Sequence, residues 1–406
     1  KNPQKVAVIG AGFTGLAAAY YLTKAGLSVE VFEKESHPGG LAIGFQGDNW
    51  DWQLEKHYHH IFTSDTALRN LAAEIGHKFL WSRPVTSTYF QNRVSQLDSP
   101  LSLLRFPGLP IIDRLRTAMG LALLRFNPFW QPFEYFTAKN YIQSIMGEKS
   151  WQVIWEPLFI GKFAKFAGDI SAAWFWGRIY KRSTSLGYPE GGFQSLANSI
   201  ESAAKDQGAK FTYNTSLTNI KDLLNKYDKV ICTLPTPLFE KLSGLSYPRL
   251  TGIGAVNLVL SLNRQFLTDG TYWLSICDRS MPFICVAEQT NFISSTHYNQ
   301  EHLIYVGNYL PPDHEFFGLT AEELLKRFTP HLKKINPKLE VKKAWVFKAP
   351  FAQPIITKRY SRLIPQMTTR IPNLYLANIQ QVYPWDRGTN YAVELGEKVA
   401  RLCVRG

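Results

Sequence analysis

Gly10-Ala11-Gly12-Phe13-Thr14-Gly15 has the spacing of a glycine turn that cradles phosphate. Gly10 permits the tight turn, Gly12 lets backbone approach a pyrophosphate, and Gly15 lets the following helix pack close to the strand. Phe13 and Thr14 sit where the free N–H groups and dipole of a helix N-terminus would face the phosphates. Glu33 ends the next apolar segment, with Lys34 beside it. A carboxylate there accepts hydrogen bonds from ribose hydroxyls and repels a 2′-phosphate. The turn and the acid together specify a dinucleotide and leave NAD and FAD open.

Three further clusters could do chemistry. His57, His59 and His60 fall close together, and on a strand His57 and His59 would share a face. No matching Cys/His/Asp cluster follows, so no metal is expected; the histidines read as cofactor-side packing or as ordinary structural residues. On a helix over 171–183, Trp174, Arg178, Lys181 and Arg182 share one side. They would clamp a diphosphate or base, or form a solvated basic face with an anchoring Trp. Lys358, Arg359 and Arg362 make a second basic group.

These residues need elements to position them. Residues 5–9 read as a buried strand, 14–25 as a helix ending at Gly26, and 28–32 as a second strand: one βαβ unit. Leu68, Leu71, Ala72 and Ile75 share a face of a helix over 66–76. In 101–136, Pro107, Pro110, Pro128 and Pro132 divide an apolar, arginine-spaced stretch into short helices. Residues 137–184 continue as Trp- and Phe-rich helices. An α/β signal resumes near Tyr188, with a helix over 193–206 and strands over 209–214 and 228–233, the latter closed by Pro235 and Pro237. Strands follow over 254–262, 303–309 and 373–379. A helix over 320–334 has Thr320 as N-cap and Glu323 in the capping-box position. A turn at 388 leads into a last helix.

Composition bounds the rest. The 406 residues suggest two or three domains, and 45% hydrophobic with 19% charged residues is globular. Aromatics at 14% suit large apolar pockets. The net charge of +13, from 45 Lys+Arg against 32 Asp+Glu, favours an anionic partner or is simply a basic surface. No nucleic-acid motif appears, so nucleic acid is not expected. The expected partner is a small-molecule substrate, anionic or apolar. Cys232, Cys277, Cys285 and Cys403 form no CxxC pair, which fits a reducing cytoplasm. No leader-like segment precedes the first strand, though the chain does not begin with Met and trimming stays open. No apolar run reaches the about 18 residues a spanning helix needs.

Taken in order, the motifs resemble the flavin amine oxidase / protoporphyrinogen oxidase / phytoene desaturase superfamily, which includes UDP-galactopyranose mutase. The matching stretches are the glycine turn, Glu33, HPGGLA with Gly39, Gly40 and Leu41, YPEGGFQSL, DKVICTLP, AWVFKAPFAQP and NLYLANIQQVYPWDRGTNYAVELGEKVA. The resemblance implies FAD. It implies an α/β two-dinucleotide-domain flavoprotein: a Rossmann-like FAD domain from 1–60, 185–240 and 360–406, interleaved with a substrate domain, helical over 61–184 and an antiparallel sheet over 241–359. It places Gly39, Gly40 and Leu41 along the cofactor, Leu217 backbone by the adenine on a strand over 209–217, and Thr233 at the end of DKVICT. It places Asn378, where many relatives carry Asp, with Asp386, Gly388, Thr389 and Asn390 around the ribityl chain and flavin pyrimidine. His57–Thr63 resembles the GPHIFH stretch of the mutase without its Gly-Pro, which would put His60 beside the isoalloxazine.

The resemblance offers His60, Arg178 and Lys348 as catalytic candidates. Lys348 would act near flavin N5, as a lysine does in amine oxidases, or is a plain surface lysine. The 101–136 stretch resembles the helical membrane-binding insertion of protoporphyrinogen oxidases, with Arg105, Arg114, Arg116 and Arg125 at lipid headgroups; the alternative is an inward-packed helical substrate domain. The implied function is an FAD-dependent oxidoreductase passing a hydride from an organic substrate to flavin N5. A non-redox mutase acting on a nucleotide sugar and a non-catalytic flavin-bound scaffold are the alternatives.

Overall fold

The computed structural model describes residues 3–247 and 250–405. Val6 to Ile9 form an unbroken apolar run, the pattern of a strand covered on both faces. The strand Lys5–Ile9 accordingly lies at the centre of a five-stranded parallel sheet. Ser28–Phe32 and Lys229–Cys232 flank it, and Lys210–Thr212 and Leu374–Leu376 form the edges. The helix Phe13–Lys24 makes the first crossover. Ala17, Ala18 and Ala19 are fully buried on it, and their small side chains let the last helix, Thr389–Arg405, lie against it.

A second, seven-stranded sheet runs in the order Val341–Pro354, Gly252–Leu262, His302–Leu310, Cys285–Glu288, Thr271–Ile276, Val85–Phe90, Arg93–Gln96. The sequence predicts an antiparallel sheet drawn from 241–359. The strands of that segment do pair antiparallel throughout, and the correction concerns 61–184: its strand Val85–Phe90 joins the sheet parallel to Thr271–Ile276 and makes it mixed. The hairpin 85–96 was hidden in a stretch read as helical. Its β-branched and aromatic residues favour a strand, and Gln91 and Asn92 turn it with φ of +50° and +59°.

The helical segments behave differently from the expected short pieces. Pro110 and Pro128 bound one 16-residue helix, Ile111–Phe126, rather than break it. Pro235 and Pro237, read as closing a strand, also open a helix, Thr236–Ser243, because proline suits a first turn that needs no N–H. The helix Ala321–Ile335 carries the expected capping box of Thr320 and Glu323. Among the described residues no helix is long and apolar enough to cross a membrane. All four cysteines are buried and unpaired.

Candidate active site

The turn between the first strand and helix is built for close backbone approach. A Cβ on Gly15 would collide with the Gly10 carbonyl, so strand and helix pack as glycine alone permits. A Cβ on Gly40 would lie 2.8 Å from the Gly12 Cα, so the two glycine segments face each other backbone to backbone. The Gly39 N–H donates to the Ala11 carbonyl at 2.9 Å and ties them together. The helix starts at Gly12 with no side-chain cap and no acid in its first turn. Its N–H groups therefore remain for an anion, and the turn fits a pyrophosphate. Glu33 is 8% exposed. Its Oε2 accepts the Ala11 N–H at 2.7 Å and its Oε1 the Glu35 N–H at 2.9 Å. Each oxygen keeps a lone pair for a ribose hydroxyl. Lys34 is exposed beside it, paired with Glu35, and Leu41 is 36% exposed at the mouth of the turn.

The far end of the chain closes on this turn. Thr233 donates its hydroxyl to the Ile9 carbonyl at 2.7 Å and stands over Gly10. Asn378 is buried and donates its amide to the Leu234 carbonyl and the Thr236 hydroxyl, both at 3.0 Å, while its side-chain oxygen accepts the Gln380 N–H. Thr389 and Asn390 start the last helix, and the Asn390 side-chain oxygen accepts the Leu68 N–H at 3.0 Å. Gly388 precedes them, exposed. Leu217 lies beyond the strand Lys210–Thr212, which ends earlier than predicted, and packs beside Ile220, Leu223 and Phe239.

Beside the seven-stranded sheet, charged and aromatic side chains converge. Asp386 accepts from Arg178 at 2.7 Å and Lys162 at 2.9 Å through Oδ2, and from the Trp174 indole at 3.2 Å through Oδ1. Several stretches of the chain meet here. Lys162 comes from the helix Glu156–Phe163, and Trp174 and Arg178 from Ala172–Tyr180. Asp386 and Arg387 come from the approach to the last helix. Tyr309 and Gln353 come from the seven-stranded sheet. Arg387 donates to Gln353 at 3.0 Å and to the Tyr309 hydroxyl, and Tyr58 donates to Tyr309 at 3.3 Å. Burial alone would raise the Asp386 carboxyl, but Lys162, Arg178 and Arg387 outweigh it and hold it well below the usual carboxylate range. Burial, reinforced by Arg178 and Arg387 against the pull of Asp386, lowers the Lys162 ammonium to about 7.

The three histidines line the same region and carry no charge at neutral pH. Burial, with Arg182 and Arg178 nearby, pushes His60 down to about 3; its Nδ1 lies 3.1 Å from the Tyr272 hydroxyl. His57 faces the Asn257 amide at 2.6 Å, and His59 Nδ1 contacts the His57 carbonyl at 2.6 Å. Among the described residues no three His, Cys, Asp or Glu side chains are grouped to hold a metal.

The structure thus brings Arg178 and His60 into one neighbourhood and leaves others apart. Trp174 and Arg178 turn inward instead of forming a solvated face, while Lys181 covers the Trp385 ring at 5.0 Å. Lys348 is exposed and donates to the Leu319 carbonyl at 2.7 Å, on the strand face opposite Phe347. Lys358, Arg359 and Arg362 are exposed. Sequence reasoning missed Lys162, Tyr309, Gln353 and Tyr272. Lys162 carried no signal, because its partner Asp386 lies 224 residues away.

Known proteins agree with this architecture. The flavin containing amine oxidoreductase family matches residues 13–403. The L-amino-acid oxidase of Gloydius halys is 45% identical over 51 residues, 13% of this chain and 10% of that protein. The coproporphyrinogen III oxidase of Staphylococcus aureus is 23% identical over 291 residues, 58% of this chain and 61% of that one. The matches thus span less than two thirds of these curated relatives. Two solved structures share the fold: a putative protoporphyrinogen oxidase from Exiguobacterium sp. 255-15, at 16% identity and TM-score 0.76 over 99% of both chains, and reduced UDP-galactopyranose mutase, at 16% identity and TM-score 0.78 over 98% of this chain and 94% of that one. With a glycine turn fitted to a pyrophosphate and a family match over nearly its whole length, the chain belongs to the flavin-containing amine oxidoreductases, whose cofactor is FAD.

Proposed function

We propose that this protein is an FAD-dependent oxidoreductase acting on a small organic substrate at the Asp386 cluster beside its seven-stranded sheet. The observation that carries the reading is the backbone-to-backbone contact of Gly12 and Gly40 at an uncapped helix N-terminus. Gly10, Gly12 and Gly15 with the first helix would hold the pyrophosphate, and Glu33 the ribose. Segments 1–60, 185–240 and 360–406 would supply the FAD-binding unit. When bound, the cofactor supplies two-electron chemistry, taking a hydride from a substrate C–H or C–N bond and passing the electrons to dioxygen or another acceptor. The chain's own work is positioning. Neutral His57, His59 and His60 with Tyr272 form a wall that neither donates charge nor competes for a proton near neutral pH. The cluster at Asp386 orients the substrate.

The test is spectroscopic. The purified protein should be yellow; a colourless protein that takes up no FAD removes the reading. Anaerobic addition of amines, porphyrinogens or polyenes should bleach the oxidised flavin. Tight binding of UDP-sugars only after dithionite reduction, with no bleaching, would replace the oxidoreductase by the mutase-like alternative. No response of either kind would leave a flavin-bound scaffold.

We also propose that the helix Ile111–Phe126 rests on an anionic bilayer. Ile112 is 68% exposed and Phe126 81%, with Leu115, Met119 and Leu123 between them also more than half exposed. Arg105 flanks this face in the open, and Arg125 is exposed with its guanidinium held on the Ile179, Tyr180 and Arg182 carbonyls. The guanidinium of Arg114 is fixed on the Leu104 and Leu109 carbonyls, and that of Arg116 on Ser144 and Ile145. An apolar stripe rimmed by arginine on a chain of net charge +13 matches the interface of an acidic membrane.

A further inference from the structure

The structure assigns an anion-binding subsite to Lys162, Arg178 and Arg387 around Asp386, which makes the substrate a molecule with a carboxylate or phosphate group rather than a cationic amine. This deepens the proposed oxidoreductase function and rests on it.

Charge is the first argument. Among the described residues Asp386 is the only carboxylate within 4.0 Å of Lys162 or Arg178, and none lies that close to Arg387. Lys162 and Arg178 therefore share one carboxylate, Arg387 stands beside them with none, and the exposed Arg182 adds positive charge nearby. Positive charge crowded in this way is relieved either by loss of the Lys162 proton, which burial and its neighbours bring near neutral pH, or by an anion that completes the group.

Geometry is the second. Lys162 and Arg178 each spend one N–H on Asp386 and make no other side-chain hydrogen bond among the described residues. The remaining donors have no protein partner among the described residues. Their side chains keep 15% and 33% exposure, so a ligand can reach them. The Trp174 ring lies 5.0 Å from the Lys162 ammonium and 5.8 Å from the Arg178 guanidinium, and the Tyr309 ring lies 5.3 Å from Arg387. These faces hold the cations in place and thin the water around them, which strengthens charge-assisted hydrogen bonds.

Asp386 sets the strength of the subsite. It competes with an incoming anion for the same donors, so it keeps the cations ordered while weakening their grip. A cationic amine would meet the like charges of Arg178 and Arg387.

The test uses four benzene derivatives of matched shape on the FAD-loaded protein: benzoate, phenyl phosphate, benzyl alcohol and benzylamine, each titrated against the flavin absorption spectrum. Benzoate or phenyl phosphate should perturb the spectrum saturably, at least tenfold more tightly than benzyl alcohol, and benzylammonium should not. Preference between the two anions separates a carboxylate from a phosphate substrate. At unchanged flavin content, Arg178→Met should weaken the anion at least tenfold and Arg178→Lys should restore part of the loss. Asp386→Asn should tighten anion binding, which a merely structural role for Asp386 would not produce. Benzylammonium binding as tightly as benzoate, or unchanged anion affinity in Arg178→Met, overturns the subsite. A flavin bleached by a neutral or cationic amine with no anion response removes the subsite and keeps the oxidoreductase. Anion binding to a flavin that no substrate bleaches does the reverse.

Discussion

Gly396 lies so close to Thr14 that a side chain there would strike the Thr14 carbonyl, and its Cβ would stand 2.8 Å from the Ala17 Cβ and 2.9 Å from the Ala18 nitrogen. The last helix therefore braces the first turn of the helix that would face the pyrophosphate. Gly396→Val drives a branched side chain into that contact, and overpacking of this kind costs about 1–3 kcal/mol. The purified variant should lose most of its FAD and melt several degrees lower, read from the flavin-to-protein absorbance ratio and a thermal scan. Gly396→Ala should fall between. A fully yellow Gly396→Val protein would show that the two ends of the chain do not share the site.

Glu33 holds the turn before it holds any ribose. Its carboxylate takes the Ala11 and Glu35 N–H groups, so Glu33→Ala leaves two donors of the turn without acceptors. An unmade buried hydrogen bond costs about 1–3 kcal/mol. FAD affinity should therefore drop roughly ten- to a hundredfold, measured by equilibrium dialysis of the apoprotein. Glu33→Gln keeps one acceptor oxygen and should lose less. Equal FAD affinity in Glu33→Ala and the native protein would remove both roles.

What the sequence showed and what it hid divide along range. The glycine turn, the first strand and helix, the capping box at Thr320 and the boundaries of 28–32 were legible because each depends on neighbours within a few residues. Trp174 and Arg178 were visible as one helix side, yet nothing local said whether that side faces water or Asp386. The partner is 208 residues from Arg178. Val85–Phe90 escaped because a strand that joins a sheet through a distant parallel neighbour has no pattern of its own beyond residue preference. Lys348 was open in the sequence between a flavin-side role and a plain surface lysine, since a motif resemblance fixes a position in sequence but not the strand face a side chain leaves.

Glu55 gives a pH-dependent signature. Its buried carboxylate accepts the Tyr188 hydroxyl at 2.8 Å and the Phe193 N–H at 2.7 Å, but burial dominates and raises it from 4.5 to about 7. Between those values the folded protein binds more protons than the unfolded chain, so the Glu55 contribution to stability falls as pH rises. Glu55→Gln cannot ionise. Its melting temperature relative to the native protein should therefore climb from about pH 4.5 to about pH 7 and level off above. Asp65 and Glu288, also raised by burial, act in both proteins and cancel in the difference. A difference that stays flat across this window would show that Glu55 is ionised in the folded protein throughout.

The exposed face of Ile111–Phe126 can be tested without disturbing the fold, because surface substitutions usually change stability by no more than about 0.5 kcal/mol. Ile112→Glu with Phe126→Glu places two acids at positions 68% and 81% exposed. The native protein should co-sediment with vesicles of phosphatidylglycerol and only weakly with phosphatidylcholine, since apolar insertion alone is helped by arginine only on an acidic surface. The double variant should lose at least tenfold in the bound fraction, because each acid both removes inserted surface and repels the headgroups. Raised salt should weaken the native binding in part, leaving the apolar share, because it screens charge and not insertion. Equal binding to neutral and acidic vesicles would remove the arginines from the contact. No binding to either would mean that this apolar stripe is not covered by lipid, leaving a protein partner as the chemistry to seek.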